Sequence, residues 1–177
     1  MRQACRLLAP AQLAELLRAS RTSPRRRAHN NFHPQLVDPI QRFFNCLQPG
    51  SYVRPHRHAS HRFELFVLLS GQAGILTFEE GDSPCEQFLL APEAALAVEI
   101  PGGVTHTVLA LEEDTLLFEV KPGPYDALTD KDFASWAPPE GDPSCGWFLA
   151  QWERLFLAGN PAGCSHPGTN PGPKGCT

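Results

Sequence analysis

Residues 50–71 read GSYVRPHRHASHRFELFVLLSG, two histidines one residue apart followed by a glutamate at the head of an apolar run. In extended backbone successive side chains leave opposite faces, so His56 and His58 share a face and aim at one place. The run that starts at Glu64 and is closed by Gly71 has the length and apolar character of a strand. The chain between His58 and Glu64 is long enough to turn and bring the carboxylate back beside the imidazoles. Two imidazoles and one carboxylate suit Fe, Mn, Ni or Zn rather than Ca. Downstream, Pro101-Gly-Gly-Val-Thr-His106 delivers another histidine from a Pro/Gly turn onto a following apolar run, so His106 is expected to complete the set. Four titratable groups meeting at one buried point are costly without a cation, which makes a metal centre the expectation.

From residue 50 onward short apolar runs alternate with turn signals. Strands are expected at 51–58, 64–69, 74–78, 85–90, 96–100, 106–111 and 115–121, with turns at Ser70-Gly71, Glu80-Gly81-Asp82, Pro101-Gly102-Gly103 and Glu112-Glu113-Asp114. That spacing predicts an all-β sandwich or small barrel. Strand alternation carries the site beyond its ligands. Tyr52 and Arg54 are expected to share the inward face of His56 and His58, as Phe66 and Leu68 share that of Glu64, and Val108 and Ala110 that of His106. On 115–121 two registers stay open, one placing Glu119 and Lys121 inside and the other placing them in solvent. A guanidinium grips anions bidentately, so Arg54 is the expected anchor for an anionic small-molecule ligand, with Tyr52 or Glu119 as proton-transfer groups.

These residues carry a resemblance. Gly50-x5-His56-x-His58-x5-Glu64-x6-Gly71 resembles the first cupin motif, and Pro101-x-Gly103-x2-His106 resembles the core of the second. The wider run from Arg27 through QRFFN, LQPGSYVRPHRH, FEVKPGPY and WAPPE, most of residues 25–140, is similar to the WbuC-type cupin-fold metalloproteins, which often accompany bacterial surface-polysaccharide genes. The resemblance implies a double-stranded β-helix, the cupin jelly-roll barrel, with short flanking helices at both ends. It also implies one divalent transition metal ion and a link to O-antigen or other lipopolysaccharide biosynthesis. The chain departs from the general pattern in the long gap between His58 and Glu64 and in Ala95 and Ala110, which stand where Gly and Asn are usual. None of these removes a ligand.

At 177 residues, with 42% hydrophobic and 19% charged side chains, the chain has the length of one domain with one substantial core. The expected division is a helical flank at 1–48, the barrel at 49–125, a coil and helix at 126–158 that pack on it, and a disordered tail at 159–177. Leu13, Leu16 and Leu17 mark an amphipathic helix at 10–20, and Asp38-Pro39 reads as the cap and first turn of a helix at 40–47. A loop is expected at 30–34, a helical turn at 131–136 and a last helix at 148–158. Net charge is −4, against a nucleic-acid partner, although residues 1–27 hold seven arginines against Glu15 alone. That arm is expected to pack on the acidic body. The six cysteines form no C-x-x-C pair and no compact framework, which fits free thiols in a reducing cytoplasm. No apolar run spans a bilayer and none resembles a secretory signal.

Four protein ligands on an octahedral ion leave two adjacent positions for water or substrate. The leading expectation is therefore a metal-dependent isomerase or epimerase acting on a carbohydrate-related or other small polar substrate. A non-haem iron dioxygenase is the other enzyme reading, and a non-catalytic ligand-binding module the reading outside enzymes. The helices that flank the barrel offer apolar faces for a homodimer.

Overall fold

The structure is a computed structural model that describes residues 5–127 and 130–157. Helix α1 (Pro10–Thr22) is followed by β1 (Arg27–Asn31), β2 (Ile40–Leu47), β3 (His56–Arg57), β4 (Glu64–Ser70), β5 (Ala73–Phe78), β6 (Glu86–Leu90), β7 (Ala97–Ile100), β8 (Thr105–Ala110), β9 (Thr115–Pro122), β10 (Asp132–Phe133) and α2 (Cys145–Leu157). The strands form two five-stranded sheets, ordered β1-β2-β9-β4-β7 and β10-β3-β8-β5-β6, with antiparallel pairing throughout. Sequential strands cross repeatedly between the sheets, the jelly-roll arrangement expected.

The register explains how the interior is filled. Paired residues of an antiparallel ladder share a face. Leu117 lies beside Leu68, Ile75 beside Val108 and Ala73 beside Ala110, and these join Leu47, Phe66, Leu90 and Ile100 in the core between the sheets. Moving along the same inward faces, the lining turns polar: β9 runs from Leu117 to Glu119 and Lys121, β8 from Ala110 and Val108 to His106, and β4 from Leu68 and Phe66 to Glu64. The barrel is therefore greasy at one end and titratable at the other.

Each sheet carries a helix on its outer face. Proline at its first position fixes the start of α1, where the Gln12 side chain accepts the Ala9 N–H at 2.9 Å. Its Leu13, Leu16 and Leu17 cover Cys46, Leu116 and Phe44. Helix α2 lays Leu149, Trp152 and Phe156 on Leu76, Phe78 and Leu109 of the second sheet. Gly74 makes room for it, since a Cβ there would lie 2.6 Å from the Phe156 ring.

Several expectations change. Residues 40–47 form a strand rather than a helix, with Gln41, Phe43, Asn45 and Leu47 sharing the inward face of β9. The loop expected at 30–34 begins inside β1, and the helical turn expected at 131–136 contains β10. Of the strand expected at 51–58 only His56 and Arg57 pair, because Pro55 has no N–H to give a ladder and breaks the alternation. The basic arm packs on the body, with Arg21 on Asp114 and both Arg25 and Arg27 on Glu140. The disordered tail expected at 159–177 and His166 lie outside the described residues. Among the described residues Cys5, Cys46, Cys85 and Cys145 are free thiols, and no helix is long and apolar enough to cross a membrane.

Candidate metal centre

His56, His58, Glu64 and His106 come together at the polar end of the barrel, their ligand atoms all within 4.8 Å of one another and each residue no more than 3% exposed. Three local devices aim them. His56 pairs directly with His106 across β3 and β8, which sets the rings side by side with centroids 4.7 Å apart. The long gap after His58 holds a turn in which Arg62 N–H donates to Ala59 O at 2.8 Å, leaving His61 exposed on its tip. Gly103 N–H then donates to His58 O at 2.9 Å, and Gly102 lies so close that a Cβ would fall 2.4 Å from Ala59 O. The two glycines thus dock the second motif onto the first.

Each imidazole is oriented through its Nδ1. His56 donates to Arg54 O at 2.9 Å, His58 to Asp130 O at 2.5 Å and His106 to Val104 O at 3.0 Å. A carbonyl can only accept, so Nδ1 carries a proton in each ring and Nε2 is the atom that each ring turns inward. Glu64 Oε2 sits 2.7 Å from His106 Nε2 and 3.3 Å from His58 Nε2. His56 Nε2 is buried with no hydrogen-bond partner. Burial, with the charges of Lys131 and His106, holds His56 well below the usual histidine range, so this ring stays neutral. Three inward Nε2 atoms around a carboxylate in a dry pocket fit a divalent cation, and the orphaned His56 Nε2 is the atom that a proton-only network leaves stranded.

Behind the ligands lies a second layer of charge. Glu119 and Lys121 are both buried, which settles the open register in favour of the interior. Burial works against an ionised Glu64, yet the hydrogen bonds from Glu119, His106 and His58 outweigh it and hold its carboxyl well below the carboxylate range. Burial, together with the neighbouring charge of Glu64, pushes Glu119 well above that range, so the pair shares one proton and Glu119 carries it. Asn45 Nδ2 donates to Glu119 Oε2. Lys121 Nζ lies 3.8 Å from Glu64 Oε1, 3.7 Å from Glu119 Oε1 and 2.9 Å from Asp130 Oδ2. Burial disfavours its charge, but these carboxylates prevail and raise it above the ordinary lysine range.

The other two expected residues stand elsewhere. Tyr52 is on the outer face of the second sheet, stacked on Trp152 with ring centroids 6.0 Å apart, and its hydroxyl donates to Pro138 O at 3.0 Å. The break in alternation at Pro55 is the cause: Val53 packs on the inner core, so its neighbour Tyr52 faces out. Arg54 spends its guanidinium on the carbonyls of Ala137 and Ala134, at 3.0 and 3.3 Å, and lies over the Phe133 ring. Sequence reasoning missed Asp130 and Arg62. Asp130 lies far along the chain from either motif, and only β10 folds it back over the ligands. Of the remaining histidines, His33 bonds the Arg42 backbone through Nδ1, while its Nε2 is buried without a hydrogen-bond partner.

Comparison with known proteins agrees with the fold. Residues 8–90 match a family model described as a domain of unknown function (DUF6016). The comparison with curated proteins finds no match. Among solved structures, CapF, a capsular polysaccharide assembling protein from Staphylococcus aureus, is 22% identical with a TM-score of 0.50, over 59% of this chain and 28% of that one. KdgF from Halomonas sp. is 18% identical with a TM-score of 0.46, over 60% of this chain and 84% of that one. A cupin-superfamily protein from Desulfitobacterium hafniense is 14% identical with a TM-score of 0.43, over 54% and 76% of the two chains. This chain thus spans under a third of the CapF length. With its paired antiparallel sheets and a His/Glu group buried at one end, the chain has a cupin-type jelly-roll barrel suited to hold a metal ion.

Proposed function

We propose that this protein is a small metal-dependent enzyme in which His56, His58, Glu64 and His106 hold one divalent transition metal ion, Fe, Mn, Ni or Zn. The observation that carries the reading is the convergence of three Nδ1-protonated imidazoles and a carboxylate on one point, with His56 Nε2 buried and unpartnered. Such a donor set supplies Lewis-acid polarisation of a carbonyl or hydroxyl oxygen when the ion is bound. Glu119 holds a proton against Glu64 and fixes that carboxylate, while the apolar end of the barrel excludes water. The chemistry fits isomerisation or epimerisation of a carbohydrate-related or other small polar substrate. The WbuC-like sequence run and the likeness to a capsular polysaccharide assembling protein support a place in surface-polysaccharide synthesis. A cytoplasmic homodimer completes the proposal.

The test is elemental analysis of full-length protein purified without affinity tags or added metal. About one equivalent of transition metal per chain is expected, falling at least ~10-fold in each single alanine variant at His56, His58, Glu64 or His106. Equal metal content in wild type and variants would overturn the reading. Turnover of a panel of sugars by the metal-loaded protein, followed for epimerisation and for oxygen uptake, then separates isomerase from dioxygenase. Metal and ligand binding without turnover of any substrate assigns a binding module, a reading that the burial of all four ligands favours.

A further inference from the structure

One sheet ends in β1 and the other in β10, and the edge between them is half closed. Arg27 crosses it, donating to Tyr52 O at 2.9 Å and to Ser51 Oγ at 3.3 Å. Beyond Arg27, toward the polar end of the barrel, no hydrogen bond joins β1 to β10 among the described residues. Register places His29 beside Asn45 and Asn31 beside Phe43, on the face that carries Glu119 and Lys121 further in. An inward face is buried where the opposite sheet covers it, yet His29 and Asn31 are exposed, Phe43 and Asn45 half-buried, and Glu119 and Lys121 buried. Across the gap Phe133 is 46% exposed while its ladder partner His56 is 2% exposed. Exposure falls from both edge strands toward the ligand group, the profile of a cleft that opens between them.

Two buried imidazole nitrogens without hydrogen-bond partners line this cleft, His56 Nε2 at its inner end and His33 Nε2 on its β1 side; the third such atom, Arg42 Nε, belongs to the opposite face of β2. A metal accounts for His56, but nothing in the fold accounts for His33. Its ring stands edge-on to Phe43 with centroids 6.4 Å apart, as does that of His29 at 6.2 Å. His33 Nδ1 lies 2.9 Å from Arg42 O, but that oxygen already accepts the N–H groups of Phe32 and His33, at 2.8 and 3.2 Å. The Arg42 N–H donates to Nδ1 at 3.0 Å. Accepting that bond takes the Nδ1 lone pair, so the ring proton sits on Nε2, a buried donor with no acceptor.

The unengaged groups on this wall are uncharged. Burial first, and then the charge of Arg25, holds His29 below the ordinary histidine range, so its ring is neutral at neutral pH. The side chains of His29 and Asn31 make no hydrogen bond among the described residues, so both can swing and let a ligand reach His33 Nε2. The cations nearby are engaged: Arg25 and Arg27 on Glu140, Lys121 on Asp130, and Arg54 on the Ala134 and Ala137 carbonyls. An anion finds no unpaired partner here. A ligand with several hydroxyls meets the His33 donor, the mixed donors and acceptors of His29 and Asn31, and the apolar edges of Phe43 and Phe133.

We propose that the cleft between β1 and β10 binds a neutral polyhydroxylated ligand of sugar size, with His33, His29 and Asn31 engaging its hydroxyls and its far end lying toward His56 and Glu119. The proposal rests on the carbohydrate-related reading of the substrate. It puts hydroxyl recognition on β1 in place of the anion anchor expected at Arg54.

The experiment titrates nitrogen-labelled full chain with glucose, galactose and mannose, and with glucuronate and inorganic phosphate as charged counterparts, following imidazole and backbone resonances by NMR. At least one neutral hexose is expected to shift the His33 Nε2 and β1 amide signals saturably. In His33→Asn the amide oxygen can take the Arg42 N–H while the inner donor is gone, and hexose affinity is expected to fall at least ~5-fold. His29→Ala and Asn31→Ala change exposed side chains that hold no hydrogen bond, so they test the wall in an intact fold and are expected to weaken binding about 3-fold each. No response to any hexose, an affinity unchanged in every variant, or glucuronate or phosphate bound more tightly than every neutral hexose overturns the cleft. Each titration is run on chelator-treated and zinc-loaded protein beside metal analysis. Variant-sensitive hexose binding in protein that takes up no metal defeats only the metal-centre reading, and metal uptake without a hexose response defeats only the cleft.

Discussion

Glu64 and Glu119 are alike in chemistry and opposite in charge state. Both are buried beside Lys121, yet Glu64 also faces two imidazoles while Glu119 faces Glu64, so the single negative charge settles on the first. The consequence for pH has a definite sign. A carboxyl whose pKa is raised in the folded state contributes stability that is complete below its unfolded value and lost as pH climbs through the folded one. Keeping Glu119 protonated therefore costs about 1.4 kcal/mol per pH unit above ~4.3, until the folded-state pKa is reached. Glu119→Gln keeps a donor toward Glu64 and carries no proton to lose. The stability of metal-free Glu119→Gln relative to wild type should rise with pH from about 4.5 upward, read by chemical denaturation at several pH values. A difference that stays flat across that range would show Glu119 ionised in the fold.

At the scale of elements, the two sequence motifs meet through backbone as well as through the side chains that converge at the centre. Gly102 presses on the turn that follows His58, with the carbonyl oxygens of Ala59 and Ser60 2.4 and 2.6 Å from where a Cβ would sit. Gly102→Ala should cost about 1–3 kcal/mol in denaturant unfolding and weaken metal retention during dialysis, because neither neighbour is a flexible side chain that can yield. Unchanged metal retention would separate the turn from the site. Strand β2 carries a different lesson. Its Ile40, Phe43, Phe44 and Leu47 suit a helical face, and Asp38-Pro39 suits a helix start. The same residues also alternate, and pairing with both β1 and β9 decides for the strand. Local periodicity in an apolar run this short fits either period, so only the neighbours could choose.

For the whole molecule, the second sheet separates two cores with different duties. The inner core and the ligands share one face of β5 and β8, while Tyr52, Leu76, Phe78, Leu109 and α2 occupy the other. Trp152 is nearly fully buried there, stacked on Tyr52 and tilted against Phe78 and Phe148. Trp152→Ala should destabilise the protein by about 3–5 kcal/mol while the folded fraction keeps its full metal content. Loss of metal from protein that remains folded would show that the outer core reaches through the sheet to the centre.

What the chain determines by itself are the candidate ligand group and most of the short strands around it. Histidines spaced for one strand face, a glutamate opening an apolar run and a Pro/Gly turn before His106 are local patterns, and steric alternation makes such patterns legible without a fold. The inward register of Phe66, Leu68, Val108 and Ala110 followed from the same rule. The rule failed at Tyr52, where Pro55 resets the alternation. It was silent on Asp130 and Arg62 and left two registers open for Glu119. Those placements depend on which distant segment closes over the barrel mouth and on where charge settles in a dry interior. Both are set by contacts between residues far apart in the chain, so only the tertiary structure decided them.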